Sequence, residues 1–247
     1  MKTLITGASS GLGAEMARQF AALGHDLALC ARRVERLEEL RAEILAAHPE
    51  RTVVLRALDV DDHDAVFRTV REIDAELGGL DRVIVNAGIG KGAPIGTGRF
   101  DANRRTLVTN LVSALAQCEA AMEIFRAAGR GHLVVVSSMS ALRGMPGSMA
   151  AYAASKAGIA SIAESLRAEL IGQDISVTTL FPGYIRSEMN EKAAPTTPLM
   201  ASTSDGVRAM VRAIESGAGE AIVPAWPWRP LAVALRHAPL RLVRRFA

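Results

Sequence analysis

The alternation of apolar and amphipathic runs constrains this chain most. The runs "KTLIT", "HDLALCA", "RTVVLRALDV", "LDRVIVNAG", "HLVVVSS" and "ISVTTLFPG" are nearly continuously apolar and read as strands, with "EAIVPA" as a last short one. Between them, "GLGAEMARQFAALG", "RVERLEELRAEILAAH", "DDHDAVFRTVREIDAELG", "DANRRTLVTNLVSALAQCEAAMEIFRAAG", "AAYAASKAGIASIAESLRAELIG" and "DGVRAMVRAIES" read as helices. A strand that is apolar on both sides must be buried on both faces, which a parallel sheet covered by helices provides. Right-handed crossovers then predict an α/β, doubly wound fold of about seven strands. No repeat or linker divides the chain, so residues 1–247 are expected to form one domain.

Composition narrows the surroundings. The net charge is only +3, which gives no reason to expect nucleic acid. The two cysteines, Cys30 and Cys118, sit in apolar stretches, so neither a disulfide framework nor a metal site is expected, and a reducing, cytoplasmic setting fits. The opening "MKTLITG" is too short before its glycine for a signal peptide, and no apolar run is long enough to span a bilayer.

The first strand runs directly into "TGASSGLG", and the first helix starts there. Glycines in such a turn let backbone approach a pyrophosphate, which also meets the positive end of the helix. Gly7, Ser9, Ser10, Gly11, Leu12 and Gly13 are therefore candidate cofactor-binding residues of a Rossmann fold. Thr6 and Ser10 have two uses open to them, binding phosphate or pinning the turn. At the end of the second strand an acid would favour a free ribose 2′-OH, but this chain has Arg32 and Arg33. Guanidinium groups suit a 2′-phosphate, so NADP(H) is expected rather than NAD. Asp59, beside Val60, either accepts from the adenine amino group or caps the next helix. Asn86, Ala87 and Gly88 end the fourth strand with side chains small enough for a ribose to lie against the backbone.

In "AAYAASKAGIA" Tyr152 and Lys156 stand one helical turn apart and share a face lined by small residues. A free phenol has a pKa near 10, and an adjacent ammonium is expected to lower it. Such a pair suits proton exchange with an alcohol or carbonyl oxygen. Ser137 and Ser138 end the fifth strand just upstream and offer a hydroxyl to the same oxygen. All these features fall at the carboxyl ends of strands, where ligands of open α/β sheets gather.

The ordered set "TGASSGLG", "NAG" at 86, Asn110 in "TNLVSALA", "SS" at 137, "YAASK" at 152 and "PG" at 182 resembles the short-chain dehydrogenase/reductase family over nearly the whole chain. The resemblance implies Tyr152 as general acid/base, with Lys156 holding the nicotinamide ribose and tuning the phenol. It implies that Ser138 orients the substrate oxygen and that Asn110 holds a water of a proton relay. It further implies that Ile185, after Pro182 and Gly183, offers its backbone to the nicotinamide carboxamide. Many family members place the serine thirteen residues before the tyrosine. Here that position is Met139, and Ser138 lies one residue earlier, with Ser137 and Ser140 as weaker candidates. Ala141 stands where a glycine often follows.

The substrate is expected under a lid formed by residues 184–204, against Met139, Met145, Met149, Tyr184 and Met189, or these residues are plain packing. An apolar ketone or secondary alcohol is the expected small-molecule substrate, although Lys91 or Arg143 would suit an acidic one. The tail, residues 225–247, mixes Trp226, Trp228 and leucines with five arginines and no acid. It is expected to pack on the chain's own surface or on a partner subunit, the less favoured use being an anionic membrane surface. Pro230 and Pro239 limit any helix there. Family habit implies a homodimer or homotetramer built by the helices carrying Asn110 and Tyr152. The main expectation is an NADP(H)-dependent oxidoreductase of carbonyl and alcohol groups. The alternatives are a catalytically silent NADP-binding regulatory or scaffold protein, and an epimerase or dehydratase using the same Tyr–Lys pair.

Overall fold

The computed structural model describes residues 1–90, 92–190 and 199–244. Seven strands form one parallel sheet: β1 (Lys2–Thr6), β2 (Asp26–Ala31), β3 (Val53–Ala57), β4 (Arg82–Val85), β5 (Gly131–Val136), β6 (Ile175–Pro182) and β7 (Glu220–Val223). Their order is β3-β2-β1-β4-β5-β6-β7. The chain therefore winds outward from β1 in one direction and from β4 in the other. The crevice above the carboxyl ends of β1 and β4 is the switch point at which such sheets bind ligands.

The helices are α1 (Gly11–Ala22), α2 (Val34–Ala47), α3 (His63–Leu77), α4 (Phe100–Leu107), α5 (Ser113–Ala128), α6 (Ala150–Glu169), α7 (Thr203–Glu215), α8 (Ala225–His237) and α9 (Leu240–Val243). They cover both faces of the sheet. Leu4 and Val83 face α3, α5 and α6, whereas the next residues, Ile5 and Ile84, face α1, α2 and α7. This two-sided burial is why the strands lack polar alternation.

Three local readings change. The run from Asp101 to Gly129 is not one regular helix, because a π-helical turn, Val108–Val112, separates α4 from α5. The N-cap of α3 is Asp62, which accepts from Ala65 N at 3.0 Å. Asp59 instead closes a tight turn by accepting from Asp61 N at 3.2 Å, so it does not cap the helix. In the tail, helical backbone begins only after Trp226, which leaves Pro230 in the first turn, where proline costs little.

A polar cluster crosses the amino ends of the central strands. The buried Arg82 guanidinium donates to His132 Nδ1 at 3.1 Å, reaches Glu215, and lies over the Phe20 ring. His132 Nε2 meets Thr178 Oγ1 at 2.8 Å, and that hydroxyl donates to Ala218 O at 2.7 Å. One charged side chain thereby ties β4, β5, β6 and the approach to β7.

Candidate active site

The glycine turn is built by close approach. Gly7 has φ +64°, and a Cβ on Gly13 would lie 2.4 Å from Gly7 O. Only glycine meets that second demand, so the start of α1 is drawn tightly onto the end of β1. Thr6 resolves to pinning: its Oγ1 donates to Ile84 O and accepts from Asn86 N and Ala87 N, both at 3.1 Å. Asn86 Nδ2 returns a bond to Thr6 O at 2.9 Å. The ends of β1 and β4 are thus locked together beneath Ala87 and Gly88.

Ser10 takes part in the charged side of the turn. Arg33 Nη2 donates to Ser10 Oγ at 2.7 Å and to Ser9 Oγ at 3.2 Å. Arg33 therefore lies across the turn, while Arg32 is exposed just after β2. Leu12 packs at the margin of the core on the α1 face. Val60 is buried, whereas Asp59 is exposed.

The π turn carries Asn110. Its Oδ1 accepts from Ile89 N at 2.8 Å and its Nδ2 donates to Ile89 O at 3.0 Å, which splices the turn to the loop after β4. Asp61 anchors the same turn from below by accepting from Thr109 Oγ1 at 2.9 Å and Ser113 Oγ at 2.7 Å. The small residues of α6 admit this turn, because a Cβ on Gly158 would lie 3.0 Å from Leu111 Cδ1. A Cβ on Gly88 would lie 3.1 Å from Asn110 Oδ1 and 3.5 Å from Lys156 Nζ, so the loop after β4, the π turn and α6 converge there.

Lys156 Nζ donates to Val136 O at 2.9 Å, and burial pulls the ammonium down to about 8. The expected depression of the Tyr152 pKa is not found. Burial raises it, the Ser138 hydroxyl draws it partly back, and Tyr184 adds to the rise. Lys156 serves the carbonyl of β5 here rather than the phenol. At neutral pH the phenol is therefore protonated, the form that donates.

The three serines separate by direction. Ser137 Oγ is buried and donates to Lys156 O at 2.8 Å, fixing α6 against β5. Ser140 Oγ bonds to Ser138 Oγ at 3.0 Å. Ser138 is the one of the three whose hydroxyl lowers the Tyr152 pKa. The single-residue offset from family spacing falls in a loop that folds into two 3₁₀ turns, Met139–Leu142 and Gly147–Met149.

Beyond Pro182, Gly183 is needed for packing, since a Cβ there would lie 2.3 Å from Trp228 Cδ2. Ile185 is buried, and its carbonyl accepts from Asn190 Nδ2 at 2.7 Å. The expected lid is described at 184–190 and 199–204, where α7 begins earlier than predicted, at Thr203. The remainder of the lid, Lys91, Arg245 and Phe246 lie outside the described residues.

Sequence reasoning missed the contribution of the tail to this rim. Trp228 is buried, packs with Met139 and Ala232, and meets the Tyr184 ring edge-on at 5.5 Å. Arg143 Nη1 donates to Leu235 O and Arg236 O, at 3.1 and 2.9 Å. That contact neutralises the carboxyl end of α8 and uses the arginine that had suggested an acidic substrate. The inward stripe Trp228, Leu231 and Ala232 has helical spacing, but its destination cannot be read from that spacing. Trp228→Ala is expected to cost about 3 kcal/mol of stability, as for other buried aromatics, read by urea denaturation. An unchanged midpoint would mean that α8 does not dock in solution.

The described residues hold no cluster suited to a metal ion and no helix long and apolar enough to cross a membrane. Both cysteines are free and buried, and burial pushes each thiol up to about 12.

Residues 2–198 match the family described as short chain dehydrogenase. An "uncharacterized oxidoreductase" of Mycobacterium tuberculosis is 56% identical over 246 residues, covering 100% of this chain and 97% of that one. Another "uncharacterized oxidoreductase", from Myxococcus xanthus, is 39% identical over 95% of this chain and 90% of that one. Among solved structures, a levodione reductase superposes with a TM-score of 0.80 at 26% identity, covering 90% of this chain and 93% of the other.

Proposed function

Since the chain belongs to the short-chain dehydrogenase family, we propose that this oxidoreductase uses NADP(H) to reduce a carbonyl, or oxidise a secondary alcohol, with Tyr152 as general acid/base. One observation carries the reading. Tyr152 and Lys156 stand one turn apart on α6, the Ser138 hydroxyl is near enough to pull the phenol's pKa partly back, and Lys156 and Asn110 converge beside Gly88. A regulatory or scaffold protein needs no such proton-donating cluster.

The cofactor, when bound, supplies or accepts the hydride. The residues around the crevice fit it: the glycine turn admits backbone close to a pyrophosphate, and Gly88 leaves room for a ribose. Arg33, held across the turn by Ser9 and Ser10, presents a guanidinium suited to a 2′-phosphate. Ser138 orients the substrate oxygen, and the protonated Tyr152 donates to it as negative charge develops. The Lys156 ammonium, one turn from Tyr152, would turn from Val136 O to offset the charge of the phenolate left behind. Asn110 fixes the π turn against the loop after β4, where a relay water would restore the proton.

Met139, Tyr184 and Trp228 give the substrate side an apolar wall, which favours an apolar ketone or alcohol. Leu107, Val112 and Leu115 are exposed along α4, the π turn and α5, which supports assembly into a homodimer or homotetramer through these helices. The test is NADPH oxidation at 340 nm over a panel of apolar ketones. Turnover is expected with NADPH in preference to NADH, and Arg33→Ala is expected to weaken NADPH binding by about tenfold while sparing NADH. Equal use of both cofactors, unmoved by that substitution, would end the NADP assignment.

A further inference from the structure

Glu188, in the segment that follows β6, extends a carboxylate to the arginines beside the glycine turn. Glu188 Oε2 accepts from Arg33 Nη2 at 3.1 Å, and its other oxygen accepts from Arg36 Nη1. Arg36 foremost, with the nearby Ser10 hydroxyl and Arg33, holds this carboxylate down to about 2. Sequence separation hides the cluster, for Arg36 and Glu188 lie 152 residues apart.

The segment crosses the crevice to reach them. A Cβ on Gly11 would lie 3.3 Å from Ser187 Cβ, and a Cβ on Gly90 would lie 3.2 Å from Met189 Cγ. Residues 187–189 thus touch the turn after β1 on one side and the loop after β4 on the other. Ser187 N is itself fixed by Asn190 Oδ1 at 2.9 Å, so Glu188 projects from a short ordered turn.

We infer that Glu188 is a specificity-determining residue which competes with a cofactor 2′-phosphate for Arg33 and Arg36. The inference rests on the NADP reading above. A carboxylate and a phosphate ask for the same planar donors, and two anions cannot share them without repulsion. A phosphorylated cofactor therefore has to displace Glu188, whereas NADH leaves the carboxylate in place. Glu188 thereby reduces the preference for NADP(H) below what the two arginines alone would set. It also makes the position of residues 187–190 respond to which cofactor is bound.

The test is fluorescence titration of the full chain with NADPH and with NADH, for the wild type, Glu188→Gln and Arg33→Ala, with thermal unfolding as a check on folding. Glu188→Gln is expected to tighten NADPH about fivefold, a gain in keeping with exposed ion pairs, and to leave NADH within twofold. Glu188→Ala is expected to act in the same direction. Weaker NADPH binding in both variants would make Glu188 a support for the arginines and overturn the competition. No change in either cofactor, with Arg33→Ala still selective against NADPH, would sink the competition alone. Loss of any NADPH effect in Arg33→Ala would remove the NADP reading and the inference with it.

Discussion

Tyr152→Phe is expected to lower kcat for carbonyl reduction by about a thousandfold, the scale of a lost general acid. Cofactor affinity should stay within about threefold, because the substitution removes one hydroxyl and leaves the glycine turn, Arg33 and Gly88 as they are. The phenol is raised by burial and stays protonated at neutral pH, so it is a ready donor in the reductive direction. Its partner sets the alkaline side. Lys156, pulled down to about 8, loses its ammonium as the pH rises past that value. The reductive kcat/KM is therefore expected to be level below about pH 8 and then to fall by about a decade per unit. Steady-state rates and titrations from pH 6 to 10 measure both. Turnover within tenfold of wild type in Tyr152→Phe would remove Tyr152 from the chemistry.

The second large effect concerns stability. His132 is pulled down from 6.5 to about 4, first by burial and then by the charge of Arg82. A histidine with a depressed folded-state pKa is protonated in the unfolded chain before it is protonated in the folded one. Between pH 6.5 and 4 the unfolded state therefore binds more protons, and stability falls as the pH falls. The loss is about 2 kcal/mol by pH 5 and about 3 kcal/mol by pH 4, from 1.36 kcal/mol per unit. His25 is also lowered by burial and adds in the same direction. Urea denaturation at pH 7.5 and pH 5 tests this above the range where carboxylates titrate. His132→Gln is expected to lose most of the difference, and a variant with the wild-type slope would assign it elsewhere.

Much of this was legible in the sequence because its physics is local. A strand between two helical layers must be apolar on both faces, and the runs around Leu4, Ile5, Val83 and Ile84 are. Tyr152 and Lys156 face one way because four residues make about one turn. What stayed hidden depends on distant partners or on breaks in a regular period. The π turn at Asn110 has no compositional mark; it persists because Asp61 and Ile89 grip it from two sides. Arg143 reads as a free cation until α8 brings its last carbonyls to it. The opposite direction of the Tyr152 shift follows from burial, which no spacing rule measures.

The docking of α8 sets an order of events during synthesis. Trp228 leaves the ribosome 76 residues after Tyr152, which at 5–20 residues per second is a delay of about 4 to 15 s. Throughout that interval a nascent chain already carries the glycine turn, the loop after β4 and the proton donor. The apolar wall beside Tyr184 has to wait for the indole.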